Sequence, residues 1–191
     1  ESPAVAIQTR PLRSQRKPSA LHSSAPRPSF VVKTRSSPEG AMRADIDPAL
    51  KEFIERQHLF FVATAPLAAS GHINLSPKGL DTFRILGPRQ VGYADFTGSG
   101  VETIAHLRDN GRITIMFCAF EGKPNIVRLY GRGRVIEPAD PEFATLLPTF
   151  NPPAPPRALI LADLTRITDS CGFGIPLYVY RSERTLLPDW C

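Results

Sequence analysis

The chain has 191 residues, 42% of them apolar, with 23 Lys and Arg against 18 Asp and Glu. That suffices for one domain with a core plus an appendage, and no run approaches the roughly 18 uninterrupted apolar residues of a spanning helix. Three scattered cysteines, Cys118, Cys171 and Cys191, form neither a CxxC pair nor a metal-ligand spacing with the four histidines. Such a count argues against a disulfide framework and for a reducing compartment.

The net charge of +5 divides unevenly. Residues 1–45 hold eight Lys and Arg against three acids, and residues 46–191 hold fifteen of each sign. A neutral folded domain gives no electrostatic reason for a nucleic-acid surface. The first 45 residues also carry six prolines and eight serines, with no acid between Ser2 and Pro38. A segment of this kind cannot bury enough surface to offset its ordering entropy. Three readings stand: a remnant of an organelle transit sequence, for a plastid or mitochondrion; a disordered tail; or an arm that docks on a partner. Residues 46–191 are the folded domain.

That domain opens with a helix from Pro48, capped by Asp47, with Leu50, Phe53 and Ile54 on one face. Phe60 to Ala65 and Gly71 to Ser76 read as a hairpin, and Val91 to Phe96 as a further strand. Ser99 and Glu102 have capping-box spacing for a helix near 100–109, which Asn110-Gly111 ends. Residues 112–119 and 125–136 are strong strands, followed by a helix near 140–147. Pro148 to Pro156 contains five prolines and reads as a stiff loop. Arg157 to Thr168 and Pro176 to Arg181 supply two more strands. Many antiparallel strands with few helices imply a barrel or sandwich.

Two segments carry candidate chemistry. Thr97-Gly98-Ser99-Gly100 before a helix start presents backbone N–H groups beside the positive end of the helix dipole, a place for a phosphate. The bland alternative is an ordinary capped helix. Asn74 and Ser76 share one side of their strand and Lys78 follows, so two neutral donors and a cation gather near one strand end. The alternative there is a polar edge with a solvated lysine. A third feature is Arg128, Tyr130, Arg132 and Arg134 on one face of the long strand, suited to carboxylates, phosphates or a partner. His106 reads as a structural histidine and Cys118 as a small buried hydrophobe. No residue identifies itself as a catalytic acid, base or nucleophile.

The runs HINLSPKGLDTFRIL, YADFTGSGVETIAHLRDNGRITIMFCAFEG, RLYGRGRVIEP and SCGFGIPLYVY together resemble the pyridoxamine 5'-phosphate oxidase-like family, more closely a small branch of it. The resemblance covers about residues 48–190 and leaves out the arm. It implies a six-stranded split β-barrel, mainly β with a few helices, acting as a homodimer with FMN at the subunit interface. It assigns Ser76, Lys78, Thr97, Ser99 and Thr103 to the phosphate side, with Asn74 and Gly98 beside them. Trp190 is then placed to reach the flavin of the other subunit. Many relatives carry Arg and Lys around the start of the central helix, where this chain has Gly98, Ser99, Gly100 and Glu102. The implied function is an FMN-dependent oxidoreductase acting on a small molecule. The alternative is an accessory subunit of a large organellar complex, tethered by the arm, with a weakened or empty flavin site.

Overall fold

The computed structural model describes residues 42–190 except Ser99, and only the backbone of Pro188 and Trp190. The expectations placed on residues 1–41 lie outside the described residues. Met42–Arg43 (β1), inside the segment assigned to the arm, pairs with the sheet. Pro48–Glu55 (α1) starts as its sequence dictates: the Asp47 carboxylate accepts from the Leu50 N–H, and Pro48 occupies the first turn. The remaining elements are Phe60–Thr64 (β2), Asn74–Lys78 (β3), Phe83–Gly87 (β4), Gln90–Asp95 (β5), Glu102–Asn110 (α2), Arg112–Cys118 (β6), Ile126–Ile136 (β7), Phe143–Phe150 (α3), Ala158–Ser170 (β8) and Leu186–Trp190 (α4).

All strand pairs are antiparallel, in the order β3-β2-β6-β7-β8-β5-β4. β8 is the hinge of this curled sheet. One edge pairs with β7 throughout, while the other pairs with β5 through its first half and with β1 beyond. The register shifts where Tyr130 and Gly131 face Arg166 and Leu164, leaving Thr165 as the extra residue. Such a bulge bends and twists the strand. A Cβ on Gly131 would stand 2.5 Å from the Asp163 carbonyl oxygen, so only glycine allows this approach.

Period-two alternation sorts the side chains. Val62, Tyr93, Ile115, Leu129 and Ile160 point into the main core, which α1 closes with Leu50 and Ile54 and α2 with Ile104 and Leu107. A second core lies on the other face of β5 and β8, where α3 buries Phe143 and Phe150 against Ala94, Leu159 and Leu161. These strands are therefore apolar on both faces.

Three expectations need correcting. The sheet has a seven-strand path plus β1 rather than six strands; one strand the sequence reading did not mark is β4, where Phe83 and Ile85 pack on the main core. Pro176 to Arg181 forms no strand. Pro176 has no N–H to donate, and the segment is held at two points rather than along a ladder: the Tyr178 N–H donates to the Phe120 carbonyl and the Tyr180 N–H to the Glu121 carboxylate. α3 runs through Pro148 to Phe150 rather than stopping before it, and Asn151 in the left-handed conformation ends it. α2 begins at Glu102, with Val101 at the cap position and no side-chain cap among the described residues; Ser99, the expected cap, lies outside them. Its end is as expected, with Gly111 at φ 69° donating to the Leu107 carbonyl.

Candidate functional site

β3 is the edge strand that carries the first donors. Asn74, Ser76 and Lys78 point to one side and are half-buried, whereas Leu75 and Pro77 are exposed on the other. The Ser76 hydroxyl donates to the Asn74 side-chain oxygen at 3.1 Å, and the Asn74 amide donates to the Thr103 hydroxyl at 3.0 Å. A continuous polar chain thus joins β3 to the first turn of α2. Thr103 is buried there, and among the described residues no side chain caps that helix end. Its orphan N–H groups and the helix dipole favour an anion.

Lys78 extends from the end of β3 to Asp95, at 2.9 Å. Asp95 ends β5 with its side chain fully buried, and its second oxygen accepts from Arg157 Nε, also at 2.9 Å. Arg157 further donates from Nη2 to the Gly100 carbonyl at 2.8 Å. Two cations therefore share one carboxylate and leave a net positive charge. Sequence reasoning passed over both Asp95 and Arg157. The available signal was a carboxylate closing the apolar strand Val91-Gly-Tyr-Ala-Asp, which burial obliges to find a cation.

Tyr93 links the two groups. Its ring lies within cation–π reach of Lys78, 5.9 Å from the ammonium to the centroid. Its hydroxyl is buried with no hydrogen-bond partner among the described residues. The Thr103 hydroxyl lies on that side; it accepts from Asn74 and keeps its own proton and a second lone pair. Burial drives the Tyr93 ionisation well above the ordinary phenol value, and the Asp95 charge adds to this.

Thr97 and Gly98 are exposed in the loop from β5 to α2, and Ser99 lies outside the described residues. Trp190 closes α4, but its side chain likewise lies outside them. Asn74, Ser76, Lys78 and Thr103 are thus brought together, with Thr97 and Gly98 on the adjoining loop. Glu102 folds back over Gly100: a Cβ there would meet its carboxylate oxygen at 2.1 Å. That carboxylate is an internal anion at the helix start.

The other candidates resolve into structural roles. Arg134 pairs with Glu142, Arg132 donates to the Asn110 carbonyl, and Arg128 donates to the Ser170 hydroxyl. His106 pairs with the Thr64 hydroxyl at 3.0 Å. Cys118 is buried, which pushes its thiol ionisation upward. Among the described residues no cluster of His, Cys, Asp or Glu has a metal-binding arrangement, and no helix is long and apolar enough to cross a membrane. A concavity of about 1530 Å³ is an open groove lined by His58, Phe120, Tyr178 and Tyr180 among others. His58 stacks on Tyr180, and its carbonyl borders Gly79, the neighbour of Lys78.

This fold matches known proteins. The family model for pyridoxamine 5'-phosphate oxidase fits residues 46–171. The chain belongs to the pyridoxamine 5'-phosphate oxidase family. Within this family, it is 48% identical over 132 residues to the pyridoxamine 5'-phosphate oxidase family protein ustO of Aspergillus flavus. That match covers 67% of this chain and 53% of ustO, so the chain spans about half the length of the curated relative it matches. The crystal structure of HupZ from Group A Streptococcus superposes with a TM-score of 0.54 at 25% identity, over 66% of this chain and 94% of that one. The split-barrel architecture of the family is therefore the fold of this chain.

Proposed function

We propose that this family member binds FMN and acts as an oxidoreductase on a small molecule. The observation that carries this reading is the convergence of Asn74, Ser76, Thr103 and Lys78 near the start of α2, which no side chain caps among the described residues, beside the Tyr93 hydroxyl, which has no partner among them. Hydroxyls, an amide, an ammonium and helix N–H groups are the donor chemistry of a phosphate site. The residues present therefore fit a phosphate-bearing cofactor. Ser76, Thr103 and Lys78 would hold the phosphate, with Thr97, Gly98 and Ser99 supplying the adjoining loop. The aromatic groove beside Gly79 offers space for a flat ring system.

A bound flavin supplies hydride or electron transfer. The protein's own part is to bind the phosphate, orient the ring and exclude water. A homodimer suits the uncovered sheet face. Phe61, Met116 and Arg128 form one register row there, and Ala63, Thr114 and Tyr130 the next. All six are half-buried and belong to neither core.

The opposing reading is an accessory subunit of a larger organellar complex with a weakened or empty site. It draws on Asp95 engaging both cations and on Glu102 lying over Gly100. The visible spectrum of the purified protein separates the two. A flavin spectrum, or quenching of added FMN fluorescence, is expected. A colourless protein that leaves FMN fluorescence unchanged would overturn the flavoprotein reading. Sedimentation at micromolar concentration tests the dimer, and a stable monomer would refute it.

A further inference from the structure

We infer that Arg157 is a positioning residue that fixes the loop from Phe96 to Val101, and with it the start of α2, for phosphate recognition. The inference rests on the phosphate reading above and adds a residue that makes the site without being assigned to touch the ligand.

The loop is poorly constrained by its own sequence, since Gly98 and Gly100 leave the backbone free. Its first end is held by burial of Phe96, which is 8% exposed. Its second end meets α2 at Val101, a cap position with no side-chain bond of its own. Arg157 supplies what is missing, from just ahead of β8. Its backbone N–H donates to the Asp95 carbonyl at 2.9 Å, extending the β5–β8 ladder. Its Nε donates to the Asp95 carboxylate at 2.9 Å and its Nη2 to the Gly100 carbonyl at 2.8 Å.

One guanidinium therefore clasps both ends of the loop. The planar fork of arginine can do this because its donors diverge at fixed angles. A lysine at the same place has a single ammonium that reaches one acceptor well. Asp95 also binds Lys78, so the clasp sets the loop, the cation of β3 and the helix start in one hydrogen-bonded frame. Binding groups need this kind of support to stay in productive geometry.

The test compares wild type, Arg157→Lys and Arg157→Gln by titration with FMN and with riboflavin, which lacks the phosphate. Amide hydrogen exchange over residues 96–104 of the flavin-free protein is measured in parallel. Arg157→Lys retains a charge beside Asp95 and keeps the fold even where Arg157→Gln does not. In Arg157→Lys the expected loss of FMN affinity is about tenfold, the lower end of what supporting bonds contribute to ligand sites. Riboflavin affinity should stay unchanged, and exchange should accelerate in the loop and first turn of α2 only. Wild-type FMN affinity in Arg157→Lys, or an equal fall for riboflavin, would overturn the inference. If wild type does not discriminate FMN from riboflavin, the phosphate reading fails by itself. The clasp is then decided by exchange: faster loop exchange in Arg157→Lys sustains it, and unaltered exchange refutes it.

Discussion

The Tyr93 hydroxyl offers a direct measurement of what the site costs the fold. It is fully buried without a hydrogen-bond partner among the described residues, and such a group carries a desolvation penalty of about 1–3 kcal/mol. Tyr93→Phe removes that penalty. It also removes the dispersion contacts of one oxygen, at about 0.1–0.2 kcal/mol each. The net expectation is a flavin-free protein more stable by about 1 kcal/mol, or about 2–4 °C in melting temperature for a domain of this size. Urea unfolding with an unchanged m-value reads the same quantity.

The pH dependence supplies a second check. Burial, and then the Asp95 charge, raise the folded ionisation of Tyr93 above its ordinary value of 10.0. Above that value the unfolded chain binds fewer protons than the native one, so stability falls as pH rises. The contribution is present in full below pH 10 and is lost above it. Tyr93→Phe should therefore flatten the alkaline limb of the stability curve. A variant destabilised by 1 kcal/mol or more, with the alkaline limb unchanged, would show that the hydroxyl is satisfied and refute the reasoning.

Other substitutions probe separate links. Phe150→Ala empties the centre of the second core, where the ring is fully buried, and should cost about 3–5 kcal/mol in urea unfolding. Gly131→Ala places a Cβ 2.5 Å from the Asp163 carbonyl, so it should lower the melting temperature by opening the β7–β8 bulge; an unchanged melt would contradict the geometry. Glu102→Gln removes the internal anion at the start of α2 and should tighten FMN binding while leaving riboflavin unchanged. Equal effects on both flavins would point away from the phosphate.

The sequence alone determined the local features that one residue and its near neighbours control. Asp47 and Pro48 start α1 because a carboxylate cap and a missing N–H suit any helix start. Gly111 ends α2 because it accepts a positive φ. Apolar runs over 60–64 and 112–118 and the alternation over 126–136 marked the strands, and the order of motifs pointed to the family. Asn74, Ser76 and Lys78 were legible as one strand face.

Only the tertiary structure decided the rest. β4 alternates only over Phe83-Arg84-Ile85; Phe83 and Ile85 pack on the main core and Leu86 on the second, a division that only the folded sheet defines. Pro148 continues α3 because packing of Phe150 into the second core outweighs the one helical bond that proline forfeits. Arg157 is 62 positions from Asp95 in the chain, and its role arises only because β5 and β8 are neighbours in the sheet. A buried carboxylate signals in sequence that it requires a cation, but the strand pairing decides which cation meets it, since charge complementarity acts through space and carries no address along the chain.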